Sequence, residues 1–351
     1  MFRSGLNEQN GGNAFTDDTM KPSMEDRRRV LAVTAAVLLT FTAGVAAQAQ
    51  AQYPERPIRL VVGFPAGGAS DVAARAVAEK MSLRLKQPIV VENKPGAASN
   101  IASDTVAKAP ADGYTVLFGT ISLAINGSLY KKLNYDPSRD LAPVSQLSSA
   151  PFLLVVNPAS PFKSVADLIK AGKNNDKSNP VYYASAGNGS GAHLFTELLA
   201  SRADLDLTHV PYRGAAPAMA DVLGGQVPLT FDNIITTLPL VQAGKLRALA
   251  VSSKQRSAAA PNIPTLDEEG VSGYDATSWF GLFVPVGTPA PIVAALNQAA
   301  SDAVRTPEVS ATLRGVGAEP VGSSARDFQT FFKSEVAKWA DVIHRAKVEV
   351  N

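Results

Sequence analysis

The chain has 351 residues, with 33 Lys and Arg against 31 Asp and Glu and a formal net charge of +2. That balance excludes a nucleic-acid binder, whose affinity rests on clustered cationic charge. Cysteine is absent and histidine occurs three times, which excludes disulfides, thiolate metal sites and cysteine nucleophiles; no metal and no cofactor is expected.

In chain order the first feature is a leader. Residues 1–23 are polar and patternless, Arg27-Arg28-Arg29 follow, and an apolar run then extends from Val30 to Ala47. It closes on Ala47-Gln48-Ala49 and Ala49-Gln50-Ala51, both of small-x-small form. Charged start, apolar middle and small-residue exit make a cleavable secretory signal. The run is shorter, and richer in threonine, than the about 20 apolar residues of a membrane-spanning helix. Residues 1–51 are therefore expected to be removed and the remainder to reach the periplasm. The three arginines also fit a loose twin-arginine signal, but the general secretory route is the preferred reading. The leader holds equal numbers of basic and acidic residues, so the mature chain has no strong attraction to membrane surfaces or polyanions.

Beyond it, strands and helices alternate. Ile58–Val62 is a short β-branched run fit for a buried strand, and a glycine-rich turn leads into a helix from about Ser70, with Ala73, Val77, Met81 and Leu85 on one face. Pro88–Val91 and Tyr114–Phe118 read as strands around a helix at Asn100–Lys108. The rhythm restarts at Val181–Ala184, with a second glycine-rich turn, a helix near His193–Ala200, and strands at Leu207–Val210, Val227–Phe231 and Leu246–Val251. A final helix follows Ser324, with Asp327 at capping-box spacing and an apolar stripe of Phe328, Phe332, Val336, Trp339 and Ile343. This βαβ order predicts an α/β protein with parallel sheet and helices on its faces.

An internal echo suggests two lobes. Phe152–Pro158 leads through Ser160-Pro161 to a helix at Val165–Lys170, and Phe280–Pro285 leads through Thr288-Pro289 to a helix at Ile292–Asn297. Each reads as strand, proline corner and capped helix. Crossings near Ala150 and Thr277 divide the mature chain into one lobe of 52–150 plus 278–351 and another of 151–277. Two connections make a hinge, and a cleft between lobes is a favoured ligand position.

Two glycine-rich turns point to a binding site. Gly63–Asp71 and Ala184–Gly191 each join a strand to a helix N-terminus, and neither contains Lys or Arg. Glycines let N–H groups turn toward a ligand, and the helix dipole favours negative charge there. A small carboxylate fits such uncharged cradles; a polyphosphate calls for cationic side chains. Ser70, Asp71 and Ser190 also read as plain helix caps. Gly187–Ala192 matches a loose dinucleotide fingerprint, but no acidic residue closes the following strand, so NAD is not expected.

The chain resembles the Bug, or TctC-like, periplasmic solute-binding proteins of tripartite tricarboxylate transporters from Tyr53 onward. The words that carry this are Tyr53–Ile58, Phe64–Gly68, Glu92–Gly96, Ala111–Thr115, Tyr135–Pro137, Val210–Gly214 and Leu246–Val251. The resemblance implies a type II periplasmic-binding-protein fold, two α/β lobes joined by two crossover segments around a ligand cleft. It further implies one small organic carboxylate as ligand, held largely by backbone groups. On that basis Phe64, Ala66, Gly67, Gly68 and Asp71 are expected at the ligand from the first turn, and Ser185, Gly189, Ser190 and His193 from the second. Asp232 matches an acidic cleft position, and Thr120, Ser122 and Asn126 follow a strand end that lines the cleft. Ala97-Ala98-Ser99 stand where the family commonly has glycines. The expectation is a monomeric, non-catalytic receptor that delivers its ligand to membrane permease subunits. The alternative is an exported serine hydrolase using Ser190 and His193.

Overall fold

The computed structural model describes Met24 and residues 53–174, 178 and 180–349; the leader and its cleavage sites lie outside them. The chain divides into two units, Met1–Tyr53 and Pro54–Asn351. The strands of the second unit are β1 (Ile58–Val62), β2 (Ile89–Asn93), β3 (Thr115–Thr120), β4 (Leu141–Val156), β5 (Val181–Ser185), β6 (Leu207–Pro211), β7 (Leu229–Asn233), β8 (Arg247–Val251), β9 (Thr277–Pro285) and β10 (Glu319–Pro320). Its helices are α1 (Ala69–Leu85), α2 (Asn100–Ala107), α3 (Ser122–Leu129), α4 (Val165–Lys173), α5 (Gly191–Ala203), α6 (Ala215–Leu223), α7 (Ile234–Gln242), α8 (Ala290–Arg305), α9 (Pro307–Gly315) and α10 (Ala325–Ala346).

The strands join in the order β2-β1-β3-β9-β4-β7-β5-β6, with β8 and β10 also paired to β4. The outer βαβ units are parallel, as their helical crossovers require: β1 with β2 and β3, and β5 with β6 and β7. The middle departs from the parallel sheet read from the βαβ rhythm. There β9 runs antiparallel to β3, and β4 runs antiparallel to β9, β7 and β8. The cause is β4, a single strand of 16 residues rather than the short run beginning at Phe152. From Leu141 to Pro151 it pairs with β9; from Phe152 to Val156 it pairs with β7. Pro151 has no N–H to give a ladder, and it stands where β4 changes partner. Ser252 stitches this point: its Oγ accepts from Phe152 N at 2.8 Å and donates to the Ala276 carbonyl at 2.7 Å.

Helix starts follow local chemistry. At α4 the Ser164 hydroxyl accepts from Asp167 N while Asp167 reaches back to Ser164 N, a full capping box. At α10 the Ser324 hydroxyl accepts from Asp327 N. The second copy of the echo differs: α8 follows Pro289 without a side-chain cap, and the Thr288 hydroxyl donates to the Pro285 carbonyl. On α10, Phe328, Phe332, Trp339 and Ile343 are buried and Val336 half-buried, so the stripe is core. Trp279 and Trp339 both donate their indole N–H to Glu335, at 3.1 and 3.0 Å, and the Lys338 ammonium pairs with its other oxygen, which together explain a carboxylate only 2% exposed.

Candidate functional site

The first turn is built on Asp71. Its carboxylate accepts from Gly67 N at 2.9 Å, Arg75 Nε at 3.0 Å and Asn93 Nδ2 at 2.9 Å. The hydrogen bond from Arg75, with those from Gly67 and Asn93, outweighs burial and holds this carboxyl down at about 2. Asn93, at the end of β2, also donates to the Phe64 carbonyl. Gly67 sits at φ +82, the left-handed region that glycine enters without strain. Gly63 is needed for proximity: a Cβ there would lie 1.8 Å from Ser99 Oγ. The neighbouring segment carries three consecutive left-handed residues, Ala97, Ala98 and Ser99. Asn126, 1% exposed, clamps it by donating to the Ala98 carbonyl at 2.8 Å and to Asn100 Oδ1 at 2.9 Å.

A cavity of about 250 Å³ opens beside this turn. Phe64, Ala69 and Ser70 line it from the turn and the start of α1; Thr120, Ile121 and Ser122 line it from the end of β3 and the start of α3. Ser148 and Ala150 of β4 and Ser278, Trp279 and Phe280 of β9 form its floor. Asn233, at the start of α7, and Val316 and Ala318 complete it. No lining residue is ionisable. The helix α1 starts at Gly68 without a side-chain cap, so its first N–H groups have no intrahelical acceptor and carry the positive end of the dipole. Two larger grooves, of about 610 and 590 Å³, lie elsewhere. Several of their charged residues form ion pairs, Arg139 with Asp136 and Arg345 with Asp341 among them.

Of the residues read from the sequence, the cavity gathers Phe64, Thr120 and Ser122. The others hold different places. Gly67 and Gly68 give their N–H groups to Asp71 and the Pro65 carbonyl, and Ala66 does not line the cavity. Asp71 and the Asn126 amide nitrogen are engaged within the chain as above, and neither residue lines the cavity. At β7 the cavity takes Asn233 rather than Asp232. The Asp232 carboxyl accepts from Asn233 N and Thr236 Oγ1, and burial pushes it up.

The second turn lies apart from this cavity. Gly189 donates its N–H to His193 Nδ1 at 3.0 Å, and Ser190 caps α5 by accepting from His193 N. Ser185 Oγ lies 2.6 Å from His209 Nε2 and accepts from Gly187 N. None of these four residues lines the cavity. A Cβ at Gly189 would meet Leu129 Cδ2 at 2.6 Å, so the turn packs on the far end of α3. Ser122 at the cavity and Leu129 are seven residues apart on that helix, about 10 Å at 1.5 Å per residue. Below this turn the His193 and His209 rings stack at 3.9 Å, with the Tyr183 ring beside both, 4.9 Å from His209 and 6.3 Å from His193. Tyr183 donates its hydroxyl to Glu197. Burial lowers His193 to about 3, with His209 adding to the effect, and lowers His209 to about 4. The pair is therefore neutral, and since Nδ1 of His193 is an acceptor its proton sits on Nε2, 3.9 Å from Glu197 Oε1. Ser190 Oγ thus meets the backbone of His193 and not its ring as a base, so a Ser190–His193 nucleophile pair is not assembled.

The cavity residues that sequence reasoning did not name as ligand contacts are Ser148, Ala150 and Ser278–Phe280 on the crossing strands, with Ala69, Ser70, Ile121, Asn233, Val316 and Ala318 around them. The signal available for them was the serine-rich composition of Ser145–Ser149 within an otherwise apolar strand.

The model of the tripartite tricarboxylate transporter family receptor, TctC, matches residues 73–348. Protein BugT of Bordetella pertussis is 38% identical over 318 residues, covering 90% of this chain and 96% of that protein. The solved structure of R. palustris Rpa4515 with adipate is 38% identical, with a TM-score of 0.68 over 85% of this chain and 99% of that one. MatC from Rhodopseudomonas palustris with bound malate is 33% identical, with a TM-score of 0.66 over 83% and 100%. By this family match and these identities, the chain belongs to the TctC, or Bug, family of periplasmic solute-binding receptors, which are not enzymes, and has their two-lobed α/β fold.

Proposed function

We propose that this chain captures a small organic carboxylate outside the cytoplasm and hands it to a membrane permease of the tripartite tricarboxylate type. The observation that carries this reading is the uncapped start of α1 at a cavity without ionisable side chains. Backbone donors and a helix dipole suit one carboxylate group. Relatives solved with adipate and with malate support the ligand class, and the family description supports delivery to a permease.

The lobes of this reading are 52–150 with 278–351, and 151–277. The change of partner in β4 at Pro151, paired with Thr277 at the start of β9, supports those limits. Closure of one lobe on the other accompanies binding, because the cavity draws Asn233 from the second lobe and α1 from the first. Residues 1–51 act as a secretory signal, removed on export, and the mature chain works as a monomer. Among the described residues no helix is long and apolar enough to cross a membrane. Isothermal titration of the purified chain with mono-, di- and tricarboxylates tests the reading. Binding of at least one acid supports it; a folded protein that takes up no heat from any of them overturns it.

A further inference from the structure

Resting on the two-lobed receptor reading above, we propose that Gly317 is a positioning residue for ligand capture. It does not itself line the cavity. Its missing side chain lets the start of α7, in the second lobe, seat against the end of α9, in the first, and that seating carries Asn233 to the cavity wall.

The approach is close, and both sides of it are held. A Cβ on Gly317 would lie 2.4 Å from Asn233 Oδ1 and 3.2 Å from Ile235 Cβ. Asn233 Oδ1 is fixed as the cap of α7, where it accepts from Ile235 N at 3.0 Å, and the Ile235 Cβ is fixed by the helix backbone. On the facing side Gly317 N donates to the Arg314 carbonyl at 3.0 Å and Ala318 N to the Leu313 carbonyl at 2.9 Å, the paired bonds of a Schellman helix end. Val316 and Ala318 flank Gly317 and line the cavity with Asn233, whereas Gly317 lines an outer cleft of about 280 Å³ with Ile234 and Ile235. The seam between the lobes therefore runs through this contact.

Ending a helix does not by itself call for glycine here. Gly317 sits at φ +85, but other left-handed helix ends of this chain carry Lys86, Asp204 and Lys347, at φ +54, +55 and +51. A side chain is accepted at such an end where there is room, and at Gly317 there is none. The place of the contact amplifies its effect. On β4, Ser149 pairs with Glu319, two residues beyond Gly317, and Phe152 pairs with Asn233. Those two β4 positions are about 10 Å apart along the strand and flank Pro151, where β4 changes partner. A wedge so near the hinge turns a small displacement into a wider gap at the far rim, and a receptor that binds by closing loses affinity accordingly.

The test is calorimetry of the full chain with adipate, malate, citrate and benzoate, the tightest of which is carried through the variants. Gly317→Ala is expected to weaken it about tenfold or more, the order for overpacking a close contact. Gly317→Asn, with a side chain at home in the left-handed region, is a larger wedge with less strain and is expected to weaken it at least as much. Gly270 is also left-handed, at φ +93, with open space around it, so Gly270→Ala should lower the melting temperature and leave the affinity unchanged. Asn233→Gly keeps an accepted cap residue and removes the side chain that the wedge meets; in that background Gly317→Ala is expected to weaken binding less than about threefold. Small-angle scattering at saturating acid should give Gly317→Ala a larger radius of gyration than the wild type, with a return toward the wild-type value in the double variant. Undiminished affinity in either Gly317 variant, or an equal loss in both backgrounds, overturns this inference and leaves the receptor reading standing. Silence of the wild type toward every acid overturns both.

Discussion

Asp71 is the residue whose replacement reports most directly on how the first turn is held. Asp71→Asn keeps the shape of the side chain but replaces one acceptor oxygen by a donor. One of the three donors now on the carboxylate, from Gly67, Arg75 or Asn93, must then be turned away. The carboxyl is lowered from 3.8 to about 2; at about 1.36 kcal/mol per unit the full shift is worth ~2.4 kcal/mol. The Arg75 side chain is 52% exposed, so solvent screens its share and about 1–2 kcal/mol remains. A depressed carboxyl stabilises the fold fully above its unfolded value of 3.8 and loses that contribution as the pH falls through about 2. The variant is therefore expected to melt about 3–6 °C below the wild type at neutral pH. The gap should close between pH 4 and pH 2, as the wild-type carboxyl itself takes up a proton. Thermal unfolding followed by circular dichroism at neutral pH and at stepped acid values measures it. A gap of constant size down to pH 2, or no gap at neutral pH, refutes the assignment of charge as the cause.

Three further outcomes are expected from other parts of the molecule. Ala98 is held at φ +51; Ala98→Gly removes left-handed strain of about 1–2 kcal/mol and adds ~0.5–1 kcal/mol of unfolded-state entropy, so melting should rise slightly, by about 1–3 °C. Glu335→Leu leaves the indole N–H groups of Trp279 and Trp339 without their acceptor and the Lys338 ammonium without its carboxylate. It should cost about 3–5 kcal/mol in denaturant unfolding, with Glu335→Gln costing clearly less. The neutral His193–His209 pair, held at about 3 and about 4 against an ordinary 6.5, contributes stability that is complete above 6.5 and declines as the pH falls toward 4. His209→Asn should therefore flatten the melting temperature against pH in that window; an unaltered slope would show that other groups set it.

Much of this protein was legible in local pattern. Ile58–Val62, the turn after it and the helix from Ser70 announce themselves because a β-branched run, a glycine cluster and a four-residue apolar repeat are all contained within about thirty residues. The same holds for the stripe on α10 and the cap at Ser324. The resemblance words also lie in contiguous segments, so family and fold could be read without coordinates.

What the tertiary structure alone decided is which donors remain free once the chain has folded. A turn such as Gly63–Gly68 shows in sequence that its N–H groups can point outward, but not that Asp71 takes the one from Gly67, or that His193 takes the one from Gly189. Those assignments depend on side chains settling into a packed environment. Ser148 was invisible for a related reason. Its surroundings come from Phe280, its partner on β9, and from Pro320 on β10, residues more than a hundred positions away. Periodicity reports on neighbours along the chain, whereas a ligand cavity at a crossing of strands is made by neighbours across it.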